Sequence, residues 1–184
     1  MSEKQKVIAI DGPSASGKGT VASRVAAALG FDYLDSGALY RLTALYAQKE
    51  NVEWTDEAGV AQLAERLPAE FDGQKVLLNG EDVSEQIRTE AIGMGASAVA
   101  QLPQVRTALL QRQRDFLTDK GLVADGRDIG SVIFPNAALK VFLTASAQVR
   151  AERRAKQIGL PCEGVDFDRI LSDIEARDEA DRRR

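Results

Sequence analysis

The fold of this chain is decided by the stretch Lys6-Val-Ile-Ala-Ile-Asp-Gly-Pro-Ser-Ala-Ser-Gly-Lys-Gly-Thr20. Its apolar run, residues 7–10, predicts a buried strand, and the pattern over residues 21–29 predicts a helix. A strand, a glycine-rich loop and a helix in this order form the context that a phosphate-binding P-loop requires. We therefore interpret the stretch as a nucleoside triphosphate site. The alternative is a glycine-rich turn that opens an ordinary helix.

The loop offers three kinds of group that bind polyphosphate. Backbone N–H groups lie at the positive end of the following helix, glycines permit close approach of the backbone, and Lys18 supplies a positive charge. Glycine stands at position 19 where Ser or Thr is usual, and the hydroxyl comes at Thr20; nucleoside monophosphate kinases carry this Gly-Lys-Gly-Thr form. We expect the triphosphate to contact nine residues: Gly12, Pro13, Ser14, Ala15, Ser16, Gly17, Lys18, Gly19 and Thr20.

Composition excludes several classes of function. The net charge of −4 argues against general nucleic-acid binding. Histidine is absent, which removes imidazole base catalysis but leaves phosphoryl transfer, because that reaction depends on positioning and charge neutralisation. The single cysteine, Cys162, fits a reducing compartment, and no apolar run is long enough to span a membrane. We expect a cytoplasmic monomer with no nucleic-acid or membrane partner.

Strands alternate with helices along the chain. Further strands are predicted over residues 31–35, 121–125 and 139–143, and further helices over residues 37–50 and from residue 147. This alternation predicts an α/β fold in which helices flank a parallel sheet. We assign the P-loop kinase core to residues 1–50 and 93–157, with a core helix over residues 167–184.

Two segments interrupt the alternation. Residues 51–92 contain the pair Asn79-Gly80 between short apolar runs, which predicts an antiparallel hairpin with a type I′ turn. We interpret residues 51–92 as an insert on the core. Residues 158–166 form an irregular stretch between two helices, and we interpret them as a short lid.

Polar residues follow two of the predicted strands. Ser36 and Arg41 come after the second strand, at the sheet edge where open α/β sheets bind ligands; the alternative, favoured by Ser36 taken alone, is a helix N-cap. Asp125, Arg127 and Asp128 end the third strand. Asp125 resembles an acid that orients hydrated magnesium, Arg127 could hold a phosphate, and Asp128 could accept from an exocyclic amine. The alternative is a polar turn with a local Arg–Asp pair.

Arg106 and Gln113 lie within the apolar arc of one predicted helix. A buried guanidinium requires a partner. For Arg106 that partner is either an internal carboxylate or a ligand, and periodicity does not distinguish the two.

Arg177, Asp181 and Arg184 are spaced i, i+4 and i+7 on the last predicted helix and so share one face. Spacing alone favours a solvated face with ion pairs between neighbouring turns. The same caution applies to three arginines that precede the predicted lid: Arg150, Arg153 and Arg154.

Five segments taken in order resemble the bacterial cytidylate kinase family. They are residues 12–20, 34–41 (Leu-Asp-Ser-Gly-Ala-Leu-Tyr-Arg), 78–88, 124–129 (Ala-Asp-Gly-Arg-Asp-Ile) and 176–184 (Ala-Arg-Asp-Glu-Ala-Asp-Arg-Arg-Arg). The P-loop is common to many kinases, whereas the other segments in this order are specific. The resemblance implies transfer of a phosphoryl group from ATP to CMP or dCMP with Mg²⁺, and a monophosphate-binding role for the insert. It also implies a further strand and helix beyond residue 184, so we expect the chain to be truncated there.

The resemblance also implies roles for single residues. Ser36, Arg106 and Asp128 would face the cytosine; Ser97, Arg177 and Asp181 would hold the sugar. Arg41, Arg127 and Arg184 would bind the acceptor phosphate, and Arg150 and Arg154 would join the loop at ATP. Lys18, Arg127 and Asp128 are the expected catalytic residues. No residue is expected to bind the metal directly, and Asp125 and Thr20 would orient hydrated magnesium.

Three other readings share parts of this pattern. A small-metabolite kinase would have the P-loop and the lid but would not need the hairpin insert. An adenylate-type kinase would differ in the residues that face the base. A GTPase-type regulatory module is disfavoured because no Asn-Lys-x-Asp segment is present to recognise guanine.

Overall fold

The computed structural model describes residues 3–72 and 75–183, which form two compact units. The first unit holds the residues up to Leu34 and those from Phe116 onward, and the second holds Asp35–Asp115. The predicted insert, residues 51–92, falls within the second unit, and its boundaries stay a prediction.

The first unit is built on a parallel sheet. Its strands are β1 (Gln5–Asp11), β2 (Asp32–Asp35), β6 (Leu122–Gly126) and β7 (Ala137–Phe142), in the order β2-β6-β1-β7. The central strand β1 pairs in parallel with both neighbours, so that Ile10 lies beside Asp125 and beside Val141. Its helices are α1 (Lys18–Leu29), α6 (Ala147–Gln157) and α7 (Val165–Arg182), with a π-helix at Ile129–Ile133. The predicted α/β class with a parallel sheet flanked by helices is confirmed.

Apolar side chains on both faces of β1 explain why this strand is central. Val7 and Ala9 are fully buried, and Ile10 on the opposite face packs with Ala22 and Ala26 of α1. Strands buried on both faces are typical of parallel sheets covered by helices. The carboxyl ends of β1 and β6 are thereby held side by side.

The second unit is mostly helical. It contains α2 (Ser36–Lys49), α3 (Glu57–Glu65), α4 (Glu90–Ala100) and α5 (Pro103–Arg114), with a short 3₁₀ helix at Gln86–Arg88. Ten of the fourteen residues of α2 are buried, so this helix forms the interior of the unit. No described helix in either unit combines the length and the apolar character that crossing a membrane requires.

A three-stranded antiparallel sheet completes the second unit. It consists of β3 (Ala69–Asp72), β4 (Lys75–Leu78) and β5 (Glu81–Asp82), with β4 in the middle. Asn79 and Gly80 join β4 to β5 with φ angles of 52° and 79°, as a type I′ turn requires. The predicted hairpin is confirmed, and β3 is an additional strand that the sequence analysis missed.

Trp54 is packed against α4 through a glycine. Its indole Nε1 donates to the carbonyl oxygen of Ala44 at 3.0 Å. A Cβ atom added to Gly95 would lie 2.6 Å from Cε2 of the indole ring, so only glycine leaves room at this position. This contact joins α2, α4 and the loop before α3 into one core.

Candidate functional site

The phosphate loop turns sharply between β1 and α1. Ala15 and Gly17 have φ angles of 56° and 89°, and Gly17 is the residue from which α1 begins. Successive residues of alternating handedness direct backbone N–H groups into one concave surface that suits an anion. The Lys18 Nζ donates to the carbonyl oxygen of Pro13 at 3.3 Å and so lies over the loop.

Neighbouring strands hold the start of the loop. The N–H of Gly12 donates to the carbonyl oxygen of Gly126 at 3.1 Å, and the N–H of Leu143 donates to the backbone carbonyl oxygen of Asp11 at 2.8 Å. A Cβ at Gly12 would lie 2.5 Å from the Leu143 carbonyl oxygen. The backbone therefore passes too close to Leu143, the residue after β7, for any residue but glycine at position 12.

Two arginines of α6 hold the loop through its carbonyl groups. Arg150 is 4% exposed, donates to the carbonyl oxygen of Ser14 at 3.2 Å and pairs with Asp178 at 2.9 Å. Arg153 donates to the carbonyl oxygen of Ser16 at 2.9 Å. The structural role of Arg153 was missed, because its spacing suggested only a solvated helix face. Contact of Arg150 and of the half-buried Arg154 with ATP stays a prediction.

Asp125 at the end of β6 is 3% exposed and accepts a hydrogen bond from the Tyr33 hydroxyl. The same hydroxyl lies 3.7 Å from the Cβ position of Gly19, at the start of α1. The tyrosine therefore orients the carboxylate beside the phosphate loop. Tyr33 was missed because nothing in the strand pattern distinguishes it from a packing residue.

Asp11 anchors the turn that carries two predicted site residues. Its Oδ1 accepts from the N–H of Ile129 and its Oδ2 from the N–H of Gly130, each at 2.9 Å. These bonds fix the backbone directly after Arg127 and Asp128. Asp11 was not among the residues predicted for the site. It could have been predicted, because Asp11 ends a buried strand just as Asp125 does.

Arg127 is held in place by two contacts. Its Nε donates to Asp181 Oδ2 at 2.6 Å, and its Nη1 donates to the carbonyl oxygen of Gly12 at 3.2 Å. The Arg127 and Asp181 side chains are 26% and 20% exposed. Asp181 of this helix face therefore pairs with a residue of another element, and Arg177 is half-buried. Sugar contacts of Asp181 and Arg177 stay predictions. Arg184, the third predicted residue of this face, lies outside the described residues.

In the second unit Ser36 has a different role from an N-cap. Asp35 caps α2 by accepting from the N–H of Ala38 at 3.1 Å. The Ser36 hydroxyl instead donates to Oε1 of Gln113 at 2.6 Å, and both side chains are buried. The N-cap alternative for Ser36 is therefore wrong.

The other predicted residues of the second unit lie on three helices. Arg106 of α5 is half-buried rather than buried as predicted, and its Nη1 donates to the carbonyl oxygen of Ala100 at 2.9 Å. Arg41 of α2 and Ser97 of α4 are also half-buried. The hydrogen-bond partner of Arg106 is a backbone carbonyl rather than the internal carboxylate of one alternative; the other alternative, a ligand, stays a prediction. Ligand contacts for all three residues stay predictions.

A parallel sheet whose first strand leads through such a loop into a helix defines a P-loop nucleotide-binding protein. The family model described as Cytidylate kinase matches residues 8–184. The chain belongs to the cytidylate kinase family.

Individual relatives agree with the family match. A protein named Cytidylate kinase from Neisseria meningitidis serogroup C is 78% identical over 181 residues, which cover 98% of this chain and 83% of the relative. A cytidylate kinase from Chromobacterium violaceum is 58% identical over 175 residues, covering 95% and 79%. A third, from Pasteurella multocida, is 56% identical over 182 residues, covering 97% and 80%.

Proposed function

We propose that this chain transfers the γ-phosphoryl group of ATP to CMP or dCMP, giving ADP and CDP or dCDP. The observation that carries the proposal is the loop formed by residues 12–20, which precedes α1 in a chain that belongs to the cytidylate kinase family. A cytoplasmic location and a monomeric state stay predictions.

The donor half of the reaction needs positioning and positive charge. The N–H groups of the loop and the Lys18 ammonium bind the transferring phosphates and offset their mutual repulsion. A general base is unnecessary because the acceptor phosphate is itself a nucleophile near neutral pH. This accounts for a kinase without histidine.

The described residues fit magnesium bound through the nucleotide. No cluster of three or more acids, histidines or cysteines able to hold a metal occurs within residues 3–72 and 75–183. Mg²⁺ commonly keeps several waters and binds through substrate phosphates with one or two carboxylates. Asp125, fixed by Tyr33, would accept from those waters, and the Thr20 hydroxyl would assist. When bound, the ion neutralises charge on the phosphates.

For the acceptor, we assign protein side chains to the cytosine, the sugar and the phosphate of CMP. Ser36, Arg106 and Asp128 would contact the cytosine, and Ser97, Arg177 and Asp181 the sugar. Arg41, Arg127 and Arg184 would bind the phosphate. For Arg127 the proposal is supported by the Asp181 and Gly12 contacts, which hold its guanidinium in one orientation.

Cytosine presents an amine at N4, whereas uracil has a carbonyl oxygen at that position. A mismatched buried polar group costs about 1–3 kcal/mol. We therefore expect UMP to be a poorer substrate than CMP by roughly tenfold to a hundredfold.

A coupled ADP-release assay tests the proposal. The protein is supplied with MgATP and, in separate reactions, CMP, dCMP, UMP, AMP and GMP. We expect the highest kcat/KM with CMP and dCMP. Preference for AMP or GMP, or turnover with none of the five, would contradict the proposed acceptor.

Asp128→Ala tests the assignment of this acid to the acceptor. We expect the KM for CMP to rise by at least about tenfold, with a much smaller change for ATP. Asp119→Ala removes an exposed carboxylate from the same unit and serves as the matched control. An equal rise in both KM values would remove Asp128 from the acceptor site.

A further inference from the structure

Gln113 is a polar side chain within the apolar face of α5. Val105 and Leu109 precede it on that face at intervals of four residues, and all three side chains are fully buried. A buried amide needs hydrogen bonds to offset its removal from water. The partners of Gln113 therefore indicate what this glutamine does.

Only half of the amide is satisfied. Its Oε1 accepts the hydrogen bond from the Ser36 hydroxyl at 2.6 Å. Its Nε2 is buried and has no hydrogen-bond partner among the residues that the structure describes. An unsatisfied buried donor lowers the stability of the fold. Packing alone therefore does not explain a glutamine at this position.

The bond to Gln113 determines what Ser36 can offer to a ligand. A serine hydroxyl has one proton to donate and two lone pairs that accept. Because the proton is directed at Gln113 Oε1, the oxygen of Ser36 retains only its capacity to accept. A base edge with an N–H group can then bond to Ser36, whereas an edge with a carbonyl oxygen cannot.

We infer that Gln113 fixes Ser36 as a hydrogen-bond acceptor and thereby selects a base with an exocyclic amine over one with a carbonyl at the same position. This inference rests on the proposed function, in which Ser36 contacts the cytosine. Cytosine carries the amine at N4 and uracil-type bases carry the carbonyl at C4. Gln113 is a positioning residue that sets specificity through Ser36.

Gln113→Met tests the inference by removing both polar atoms at similar volume. The freed hydroxyl proton of Ser36 can then bond to a carbonyl oxygen. We expect the ratio of kcat/KM for CMP to that for UMP to fall about tenfold, or about 1.4 kcal/mol. We expect Tm to change little, because the substitution removes the unsatisfied Nε2 but leaves the buried Ser36 hydroxyl without its partner. Leu109→Met, one turn earlier on the same face, is the packing control and should leave the ratio unchanged.

A double-mutant cycle locates the effect at the hydroxyl. Ser36→Ala removes the group on which Gln113 acts, so adding Gln113→Met to it should lower the ratio no further. Additive effects of the two substitutions would overturn the inference. So would a Gln113→Met protein with lower Tm and an unchanged ratio, which is the result expected of a purely structural glutamine.

Gln113→Glu keeps an oxygen opposite Ser36 and removes Nε2. The CMP to UMP ratio should stay within about threefold of that of the unmodified protein. A tenfold fall would show that Nε2 sets selectivity and would overturn the role of Oε1. If Gln113→Met does not fold, Gln113→Leu removes the same two polar atoms, and the ratio should again fall about tenfold.

The activity of the unmodified protein distinguishes failure of the proposed function from failure of the inference about Gln113. If it does not phosphorylate CMP, the proposed function fails, whatever Gln113 does. If it phosphorylates CMP and Gln113→Met leaves the ratio unchanged, only the inference about Gln113 fails.

Discussion

The phosphate loop of the first unit and the Ser36–Gln113 pair of the second differ in which part of the chain carries the polar groups. In the loop these groups are backbone N–H donors of consecutive residues, shaped by the positive φ angles of Ala15 and Gly17. In the pair they are two side chains 77 residues apart. The loop therefore depends on backbone conformation and on the charge of Lys18, whereas the pair depends on the identity of both side chains.

The largest effect on activity is expected from loss of the Lys18 charge at the phosphate loop. Lys18→Ala removes the lysine that lies over the loop, and we expect kcat to fall by about a hundredfold to a thousandfold, the range seen when one charge-stabilising group is lost. Steady-state ADP release measures it. Lys4→Ala makes the same chemical change at an exposed position of the first unit and should have little effect. Near-normal kcat for Lys18→Ala would mean that the backbone alone suffices.

Tyr33→Phe tests whether the site at the phosphate loop also depends on a side-chain hydrogen bond, that between Tyr33 and Asp125. The substitution removes the hydroxyl that orients Asp125. A hydrogen bond to a charged group contributes about 1.5–3 kcal/mol, and we expect kcat/KM for MgATP to fall by about tenfold. Titrations of ATP at several magnesium concentrations measure the change. Tyr46→Phe is the control in the second unit, and equal loss in both proteins would refute a specific role for Tyr33.

Gly95→Ala tests the second unit by packing rather than by polarity. The added methyl overlaps the Trp54 ring, and overpacking of this kind costs about 1–3 kcal/mol. Tm should fall by roughly 2–10 °C, while the KM for ATP changes little. Thermal unfolding measures stability. Trp54→Phe should lower Tm less in the Gly95→Ala protein than in the unmodified protein, because the smaller ring relieves the overlap. If Trp54→Phe lowers Tm equally in both proteins, overlap with the Trp54 ring is not the cause of the destabilisation by Gly95→Ala.

The smallest effect is expected at the exposed hairpin. Hydrogen bonds from the Ser84 hydroxyl and N–H hold the pKa of Asp82 below its ordinary value. The stabilisation that these bonds give the folded protein is fully present at pH values above the ordinary pKa of an aspartate. It is lost as the pH falls through the lowered pKa of Asp82. Ser84→Ala should raise the pKa of Asp82 toward its ordinary value without changing turnover. A carboxyl NMR titration measures it, and an unchanged pKa would assign the shift to other groups.

Much of the fold is local and could be predicted from the sequence. The four strands of the parallel sheet, the helix after the loop and the Asn79-Gly80 turn each depend on a few neighbouring residues. The phosphate loop was predictable for the same reason. The extra strand β3 was missed because its four residues, Ala69–Asp72, are too short a run to establish a strand pattern on their own.

The site contacts that were missed join distant parts of the chain. Tyr33 and Asp125 are 92 residues apart, and Asp11 and Ile129 are 118 residues apart. Periodicity identified Arg106 and Gln113 as polar residues on an apolar arc. It could not show that Gln113 bonds to Ser36, because spacing within one helix contains no information about another.

The supports of the phosphate loop have a consequence for synthesis of the chain. The loop sequence is complete at residue 20, but the groups that hold its backbone belong to Gly126 and to three arginines, Arg127, Arg150 and Arg153. A nascent chain therefore carries the whole motif long before the contacts that shape it exist. The loop leaves the ribosome before its supports and is among the last segments to acquire its working conformation, and an isolated peptide with this sequence lacks every one of those contacts.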